Sequence, residues 1–162
     1  MNLKDFNVAP LYVLDKEWAL LTAGNSDKFN TMTISWGGLG TLWNKPVVTV
    51  YVKPIRYTYE FMEENDYFTI SFYDHKYRKD LALLGSKSGR DSDKVALTDL
   101  TASFMDDAVT FKEAQLTILC KKIYFQDLDV KNMDPSVIEK FYDIEEPHRM
   151  YIGEVVDVID KR

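Results

Sequence analysis

A run of β-branched and aromatic residues, Val47-Val48-Thr49-Val50-Tyr51-Val52, is followed at once by Lys53-Pro54. Such residues favour strands, and an unbroken run of them is typical of a strand buried on both faces. Proline cannot donate to a sheet ladder, so the strand is expected to stop there. The next residues, Ile55-Arg56-Tyr57-Thr58, end in a residue type that caps helices. The stretch therefore predicts a buried strand, a turn and a helix over residues 58–64.

Strand patterns recur on both sides of this stretch. Residues 30–36 alternate the apolar side chains of Met32, Ile34 and Trp36 with hydroxyl side chains, which is the period of a half-buried strand. Four more segments have the composition of strands, namely residues 18–23, 67–73, 115–125 and 149–159. Strands are thus predicted from one end of the chain to the other.

Two further helices are predicted between these strands. Asp74 can cap a helix in which Tyr77, Leu81 and Leu84 share one face. Asp134-Pro135 begins the other helix, because proline suits the first helical turn. Strands outnumber helices and do not alternate with them. This pattern favours a mainly β fold, an antiparallel barrel with peripheral helices, over a doubly wound parallel sheet.

Composition excludes several classes of protein. The 162 residues are 46% hydrophobic and 28% charged, which suits one globular domain over residues 1–162. No apolar run approaches the length of a membrane span, and the first residues do not resemble a secretory signal, so a cytoplasmic protein is expected. The one cysteine, Cys120, excludes a disulfide framework. No grouping of His, Cys and carboxylate residues has the spacing of a metal site, so no metal is expected.

The charge distribution points to a small anionic ligand. The net charge of −6 disfavours nucleic-acid binding, which depends on neutralising phosphates, and the acidic excess lies entirely in residues 95–162. Two segments run against this trend. Residues 45–58 carry three basic side chains and no acid, and residues 76–94 carry more basic than acidic side chains. Local basic segments in an acidic chain suggest an anion-binding site rather than a polyanion-binding surface.

Each basic segment has a functional and an ordinary interpretation. Arg56 and Thr58 stand where a helix is predicted to begin, and a helix N-terminus presents unpaired N–H groups to an anion. They would otherwise belong to a simple turn with Thr58 as its helix cap. In residues 85–94, small residues let the backbone approach an anion, while Ser88, Arg90 and Lys94 supply donors. The alternative there is a flexible surface loop.

No classical catalytic set is apparent. His75 and His148 are the two histidines, and neither is near Cys120, which lies in an apolar strand pattern typical of a core residue. The segment Ser35-Trp36-Gly37-Gly38-Leu39-Gly40-Thr41-Leu42-Trp43 places two tryptophans around a predicted glycine turn. They would flank a planar ring, or else fill a core or a subunit interface. Anion-binding segments without a nucleophile suggest a bound cofactor that supplies the reactivity.

Four segments in order resemble the flavin reductase-like, FMN-binding split-barrel family, which includes flavoredoxins. They are Asn30-Thr31-Met32-Thr33-Ile34-Ser35-Trp36-Gly37-Gly38, Val52-Lys53-Pro54-Ile55-Arg56-Tyr57-Thr58, Gly85-Ser86-Lys87-Ser88-Gly89-Arg90-Asp91-Ser92-Asp93-Lys94 and His148-Arg149-Met150-Tyr151-Ile152-Gly153-Glu154-Val155. The resemblance extends over nearly the whole chain. It implies a split β-barrel that forms a homodimer, with FMN near the subunit interface.

The resemblance also assigns residues to the cofactor. Arg56 and Thr58 match positions that hold the FMN phosphate, and a second phosphate-side loop is matched by Ser88, Gly89 and Arg90. The strand along the flavin ring is matched by Met32, Thr33, Ile34 and Ser35. Trp36, Lys53 and Lys94 complete the expected cofactor-binding set, with Trp36 and Lys94 near the ring. His148 matches a histidine that contacts a nicotinamide, and it is the one candidate catalytic residue.

Two functions of different classes follow from this resemblance. The first is a flavin reductase that passes hydride from NADH or NADPH to FMN, and electrons onward to an acceptor. The alternative is an FMN electron carrier of the flavoredoxin type, which works with a redox protein partner. A nucleotide- or oligonucleotide-binding barrel is a third interpretation, and the negative net charge disfavours it.

Overall fold

Nine strands and four α-helices form the parts of the chain that the computed structural model describes, residues 7–105 and 107–162. The strands are β1 Ala19–Gly24, β2 Phe29–Ile34, β3 Gly37–Leu42, β4 Lys45–Val52, β5 Tyr67–Phe72, β6 Ala102–Met105, β7 Ala108–Phe111, β8 Leu116–Asp127 and β9 Arg149–Asp160. The helices are α1 Pro10–Tyr12, α2 Tyr57–Glu64, α3 Arg78–Ser86 and α4 Pro135–Phe141. Shorter helical turns cover Val13–Glu17, His75–Tyr77, Val95–Leu97 and Val130–Asn132.

Seven of these strands form one antiparallel sheet in the order β2-β1-β5-β8-β9-β4-β3, and β6 and β7 form a separate hairpin. Its two edge strands, β2 and β3, are neighbours along the chain, with Ser35 and Trp36 between them. The sheet must therefore curl until its two edges approach each other, which gives the molecule its barrel form. The predicted mainly β fold with peripheral helices is confirmed.

Two apolar clusters lie on opposite sides of β1. Leu21 packs into the barrel interior with residues such as Phe68 and Ile118. The neighbouring Leu20 points to the other side, where α3 supplies Leu84 to a second cluster. All six residues of β1 are buried as a result. The helix face predicted from Tyr77, Leu81 and Leu84 packs in this second cluster.

The strand β4 is buried more deeply on one face than on the other. Val48, Val50 and Val52 are buried in the barrel interior, whereas Thr49 and Tyr51 on the opposite face are half-buried. The prediction that both faces are fully buried is thus wrong for Thr49 and Tyr51. Tyr51 instead lines a surface cavity described below.

Helix starts are partly as predicted. Asp74 accepts a hydrogen bond from Lys76 N and caps the turn that leads into α3, and Asp134 caps α4 through Ser136 N. The prediction for Thr58 is wrong in one respect. Arg56 occupies the N-cap position of α2 without a side-chain capping bond, and Thr58 lies inside the helix.

The prediction of a glycine turn between the two tryptophans is wrong, because Gly37–Leu42 forms the edge strand β3. The chain turns instead at Trp43 and Asn44, where φ is 51° and 57°. Two adjacent residues with positive φ are typical of the tight turns that join hairpin strands. Trp36 and Trp43 therefore stand at opposite ends of β3. Within the described ranges, the helices fall short of what crossing a membrane requires in length and apolar character.

Candidate functional site

Two cavities join to form one groove beside the sheet edge β2. The larger, here called the basic cavity, has a volume of about 440 Å³ and is lined by β2, the start of α2, the segment after α3 and Glu145. The smaller, here called the aromatic cavity, has a volume of about 250 Å³ and includes Tyr51, Trp36 and His148. Met32, Thr33 and Arg56 line both cavities, so the two form a continuous groove.

Every residue predicted to contact the cofactor or nicotinamide lines this groove. The residues in the basic cavity are Thr58, Ser88, Gly89, Arg90 and Lys94. Those in the aromatic cavity are Ile34, Ser35, Trp36, Lys53 and His148, and both cavities share Met32, Thr33 and Arg56. The fold thus brings together four segments that are far apart in sequence.

Arg56 stands between the two cavities. It is the N-cap residue of α2, and no side-chain oxygen caps the free N–H groups of that helix. Across residues 7–105 and 107–162, its guanidinium makes neither a hydrogen bond nor an ion pair with another side chain. An unpaired guanidinium beside an uncapped helix N-terminus is an arrangement suited to a phosphate.

Lys94 is a buried cation in the same cavity, with 4% of its surface exposed. Its ammonium donates to the carbonyls of Leu84, at 2.7 Å, and Lys87, at 3.0 Å. Burial, and then the positive charge of Arg56, lower the pKa of Lys94 to about 8. Lys94 therefore ties down the end of α3 and adds positive charge near Arg56.

The segment Ser88-Gly89-Arg90, here called the strap, crosses from α3 towards α2. Arg90 donates to the carbonyl of Ile55 at 3.1 Å, pairs with Glu60 and lies over the Tyr57 ring. The strap is therefore anchored on α2. Helix α3 continues through Ser86, so the predicted loop over residues 85–94 begins only at Lys87.

Gly89 of the strap lies in close contact with Asn30 of the sheet. A Cβ atom added there would lie 2.1 Å from Asn30 Oδ1 and 3.2 Å from the Tyr57 ring. Neither neighbour can retreat easily, because Asn30 is buried and Tyr57 packs on Phe61. Position 89 therefore requires glycine for the strap to lie against the sheet.

The aromatic cavity is built around Trp36 and His148. Their ring centroids are 5.1 Å apart, and Phe141 packs edge-on against Trp36 at 5.3 Å. Tyr142 Oη lies 2.8 Å from His148 Nδ1. Burial, and then the charges of Lys53 and Arg56, lower the pKa of His148 to about 4. The imidazole is therefore neutral near pH 7.

Lys53 also lines the aromatic cavity. Its ammonium pairs with Glu145 and lies 5.6 Å from the centre of the Tyr142 ring. These contacts connect β4 with the segment that follows α4. Sequence reasoning missed the groove residues Asn30 and Glu145, since their partners Thr58 and Lys53 are distant along the chain. It also missed Tyr142, which is hydrogen-bonded to His148. The resemblance motif did contain Asn30, which was the one available signal.

Cys120 lies away from the groove and is fully buried in β8. Burial raises the pKa of its thiol, the opposite of what a nucleophilic cysteine requires. Across the described ranges, no group of His, Cys, Asp and Glu side chains is arranged to hold a metal ion.

Comparisons with known structures identify the fold. A flavoredoxin of Desulfovibrio vulgaris (Miyazaki F) is 25% identical, with a TM-score of 0.68 over 88% of this chain and 68% of that chain. A flavoredoxin from Methanosarcina acetivorans is 23% identical, with a TM-score of 0.68 over 89% and 68% of the two chains. A protein with a split barrel domain from Shewanella frigidimarina is 17% identical, with a TM-score of 0.70 over 98% and 76%. The fold is therefore a split barrel, as predicted.

A comparison with curated proteins gave no match. The family model described as "Flavin reductase like domain" matches residues 14–162. This match includes every strand of the sheet and both cavities of the groove. The four motifs on which the resemblance was based also lie within it. The chain belongs to the flavin reductase like domain family.

Proposed function

We propose that the groove binds FMN, with the phosphate in the basic cavity and the flavin ring in the aromatic cavity. The observation that carries this proposal is the position of Arg56, whose unpaired guanidinium stands where the two cavities join. A ligand with an anionic end and a planar end matches a groove that is cationic at one end and aromatic at the other.

The basic cavity fits a phosphate in three ways. The N-terminus of α2 has no side-chain cap, so its first N–H groups are free to donate. Arg56 offers a planar fork of donors. Thr58, Ser88 and the strap backbone at Gly89 and Arg90 line the same space, and Lys94 adds a buried positive charge.

The edge strand β2 suits the flavin ring. As an edge strand, β2 pairs only with β1. Along Met32, Thr33 and Ile34, every second residue therefore has backbone N–H and C=O groups that face away from the sheet. Ser35 follows directly after this stretch. These groups would meet the polar edge of the ring, and Trp36 would close the far end. When bound, FMN would supply the hydride and electron transfer.

The proposed activity is that of a flavin reductase, which takes hydride from NADH or NADPH. The neutral His148 beside Trp36 offers an uncharged surface against which a nicotinamide can pack, while Lys53 and Arg56 favour an anionic dinucleotide. We further propose that the protein is a cytoplasmic homodimer. Ile144, 94% exposed and adjacent to Glu145 at the groove, supports a partner subunit at that place.

The alternative is an FMN electron carrier that exchanges electrons with a redox protein. Similarity to two flavoredoxins supports it, as does the acidic excess in residues 95–162, which suits a basic partner. Carrier and reductase share the same FMN site and differ in their reaction with nicotinamides.

The absorption spectrum of the purified protein, followed by anaerobic addition of NADH or NADPH, tests these proposals. A yellow protein that NADH or NADPH bleaches within seconds supports the reductase. A yellow protein that neither donor bleaches, but that a reduced redox protein does, supports the carrier. A colourless protein that binds no added FMN would overturn both.

A further inference from the structure

Asn30 lies where three parts of the groove meet. It stands near the start of β2 and is 7% exposed. On one side its amide contacts Thr58 of α2, and on the other it contacts Gly89 of the strap. The sequence gives Asn30 no obvious role, because both contacts cross long stretches of chain.

The contact with Gly89 fixes the orientation of the Asn30 amide. The Oδ1 atom faces the Cα–H side of Gly89, where an added Cβ would lie only 2.1 Å away. A carbonyl oxygen meets a Cα–H group favourably, whereas an NH2 group would oppose hydrogen to hydrogen. The Nδ2 atom is therefore left to donate to Thr58 Oγ1, at 2.8 Å.

This bond determines where the hydroxyl hydrogen of Thr58 goes. A threonine hydroxyl has one hydrogen to donate and two lone pairs to accept with. Because Oγ1 accepts from Asn30, its own hydrogen must point elsewhere. Thr58 is 1% exposed and lines the basic cavity. Within the described ranges the hydroxyl has no acceptor, and such an unmet donor favours an anion in the cavity.

We propose that Asn30 is a positioning residue that holds the Thr58 hydroxyl as a donor towards the phosphate of the bound flavin. The inference rests on the proposed FMN site. Asn30 acts through Thr58 and contributes no charge of its own. The same amide keeps Gly89, and with it the strap, against the sheet.

A double-mutant cycle between positions 30 and 58 tests this proposal. Dissociation constants for FMN and riboflavin are measured on the flavin-free protein by fluorescence quenching. Thr58→Ala should weaken FMN binding about ten-fold or more, since it removes a hydrogen bond to a charged group. Riboflavin lacks the phosphate and should change much less.

The Asn30 variants provide the decisive comparison. Asn30→Ala should weaken FMN binding. The further loss of FMN affinity when Thr58→Ala is added to Asn30→Ala should be clearly smaller than the loss that Thr58→Ala causes in the parent protein. In Asn30→Asp the carboxylate accepts the Thr58 hydrogen, so Thr58→Ala should then have almost no further effect on FMN. Asn65→Ala is a matched control, because it removes another amide bond to α2, from Asn65 to the Phe61 carbonyl, away from the groove.

The outcomes separate this inference from the proposed function. If Thr58→Ala lowers FMN affinity by the same factor whether residue 30 is Asn, Ala or Asp, the positioning role of Asn30 is overturned and the FMN site stands. Equal losses of FMN and riboflavin in the Asn30 variants would also overturn it, since they indicate damage to the fold. If the parent protein binds FMN no more tightly than riboflavin, the phosphate site itself fails and the inference fails with it.

Discussion

The ammonium of Lys94 and the guanidinium of Arg56 line the same cavity, and the two like charges affect each other. Burial, and then the charge of Arg56, lower the pKa of Lys94 to about 8. An anion between them would remove much of this penalty and raise that pKa again. The two positive charges therefore favour the binding of a negatively charged ligand in this cavity.

FMN affinity should fall as the pH rises above about 8. Binding of the phosphate should raise the pKa of Lys94, so FMN binding takes up a proton above about pH 8. FMN affinity should therefore fall by at most about ten-fold for each pH unit in that range. Titrations at several pH values check this, with riboflavin as the control for changes in the ring. Lys94→Met should flatten the FMN profile, and a profile that keeps its slope in that variant would contradict the role of Lys94.

The same shift has a consequence for stability. The pKa of Lys94 in the folded protein, about 8, lies below the ordinary lysine value of 10.5, so the unfolded chain binds more protons between these two pH values. The contribution of Lys94 to the free energy of unfolding should therefore rise as the pH increases from about 8 towards 10.5. Denaturant unfolding of flavin-free protein, compared with Lys94→Met, measures this contribution. An equal pH slope in both proteins would refute it.

Arg56→Ala should weaken FMN binding by about ten- to a hundred-fold, because it removes charge-assisted hydrogen bonds to the phosphate. Arg56→Lys should recover only part of this affinity, since an ammonium keeps the charge and loses the planar fork. Riboflavin affinity should change much less in both variants. Equal losses for FMN and riboflavin would show that Arg56 is not a phosphate ligand.

Tyr142→Phe should lower the rate of flavin reduction by NADH several-fold and leave the dissociation constant of FMN nearly unchanged. The change removes the hydrogen bond between Tyr142 and His148. A shifted imidazole would misplace the nicotinamide that packs against it, and a misplaced nicotinamide transfers hydride more slowly. Stopped-flow bleaching measures the rate. Tyr124→Phe is the matched control, because Tyr124 bonds to Gln126 outside the groove. Equal rates in the parent and Tyr142→Phe proteins would argue against the role of His148.

Cys120→Ala should leave flavin binding and turnover intact and lower the free energy of unfolding by about 1 kcal/mol or more, because it opens a small space in the core. Cys120 is fully buried in β8 and does not line either cavity of the groove. Urea unfolding and NADH oxidation by the same preparation check the two parts. Loss of turnover in a folded, flavin-loaded variant would contradict them.

The protein should be a dimer in solution. Light scattering at micromolar concentration should give about twice the chain mass of 18.8 kDa. Replacing the exposed Ile144 with Asp should shift the mass towards that of the monomer, because it buries a charge in the proposed contact. A monomer that still binds FMN tightly would rule out an essential interface at the groove.

The residues that local sequence could identify are those that act within one turn or strand. Local sequence makes Arg56 and Thr58 candidate anion ligands, because a strand, a proline and a predicted helix start follow one another there, and both residues line the basic cavity. The capping role of Thr58 was predicted wrongly, since Thr58 lies inside α2 and its partner, Asn30, lies on the distant strand β2. Local composition contains no information about such a contact.

Long-range pairing also explains the segments that the sequence predicted wrongly. Gly37–Leu42 contains three glycines, which are poor strand formers. Pairing with β4 supplies the hydrogen bonds that make it a strand all the same. The groove residue Glu145 was missed for a similar reason, because it reaches the site only through its pairing with the distant Lys53.

The edge strand β2 has an implication for how the protein is made. Its outer backbone groups would be covered by the flavin, so the flavin-free chain presents an open strand edge that other unfolded or partly folded chains can join. Production under flavin limitation should then yield aggregated material, and riboflavin in the growth medium should raise the soluble yield. The cofactor would act in this way as a shield against self-association during synthesis, in addition to its role in the reaction.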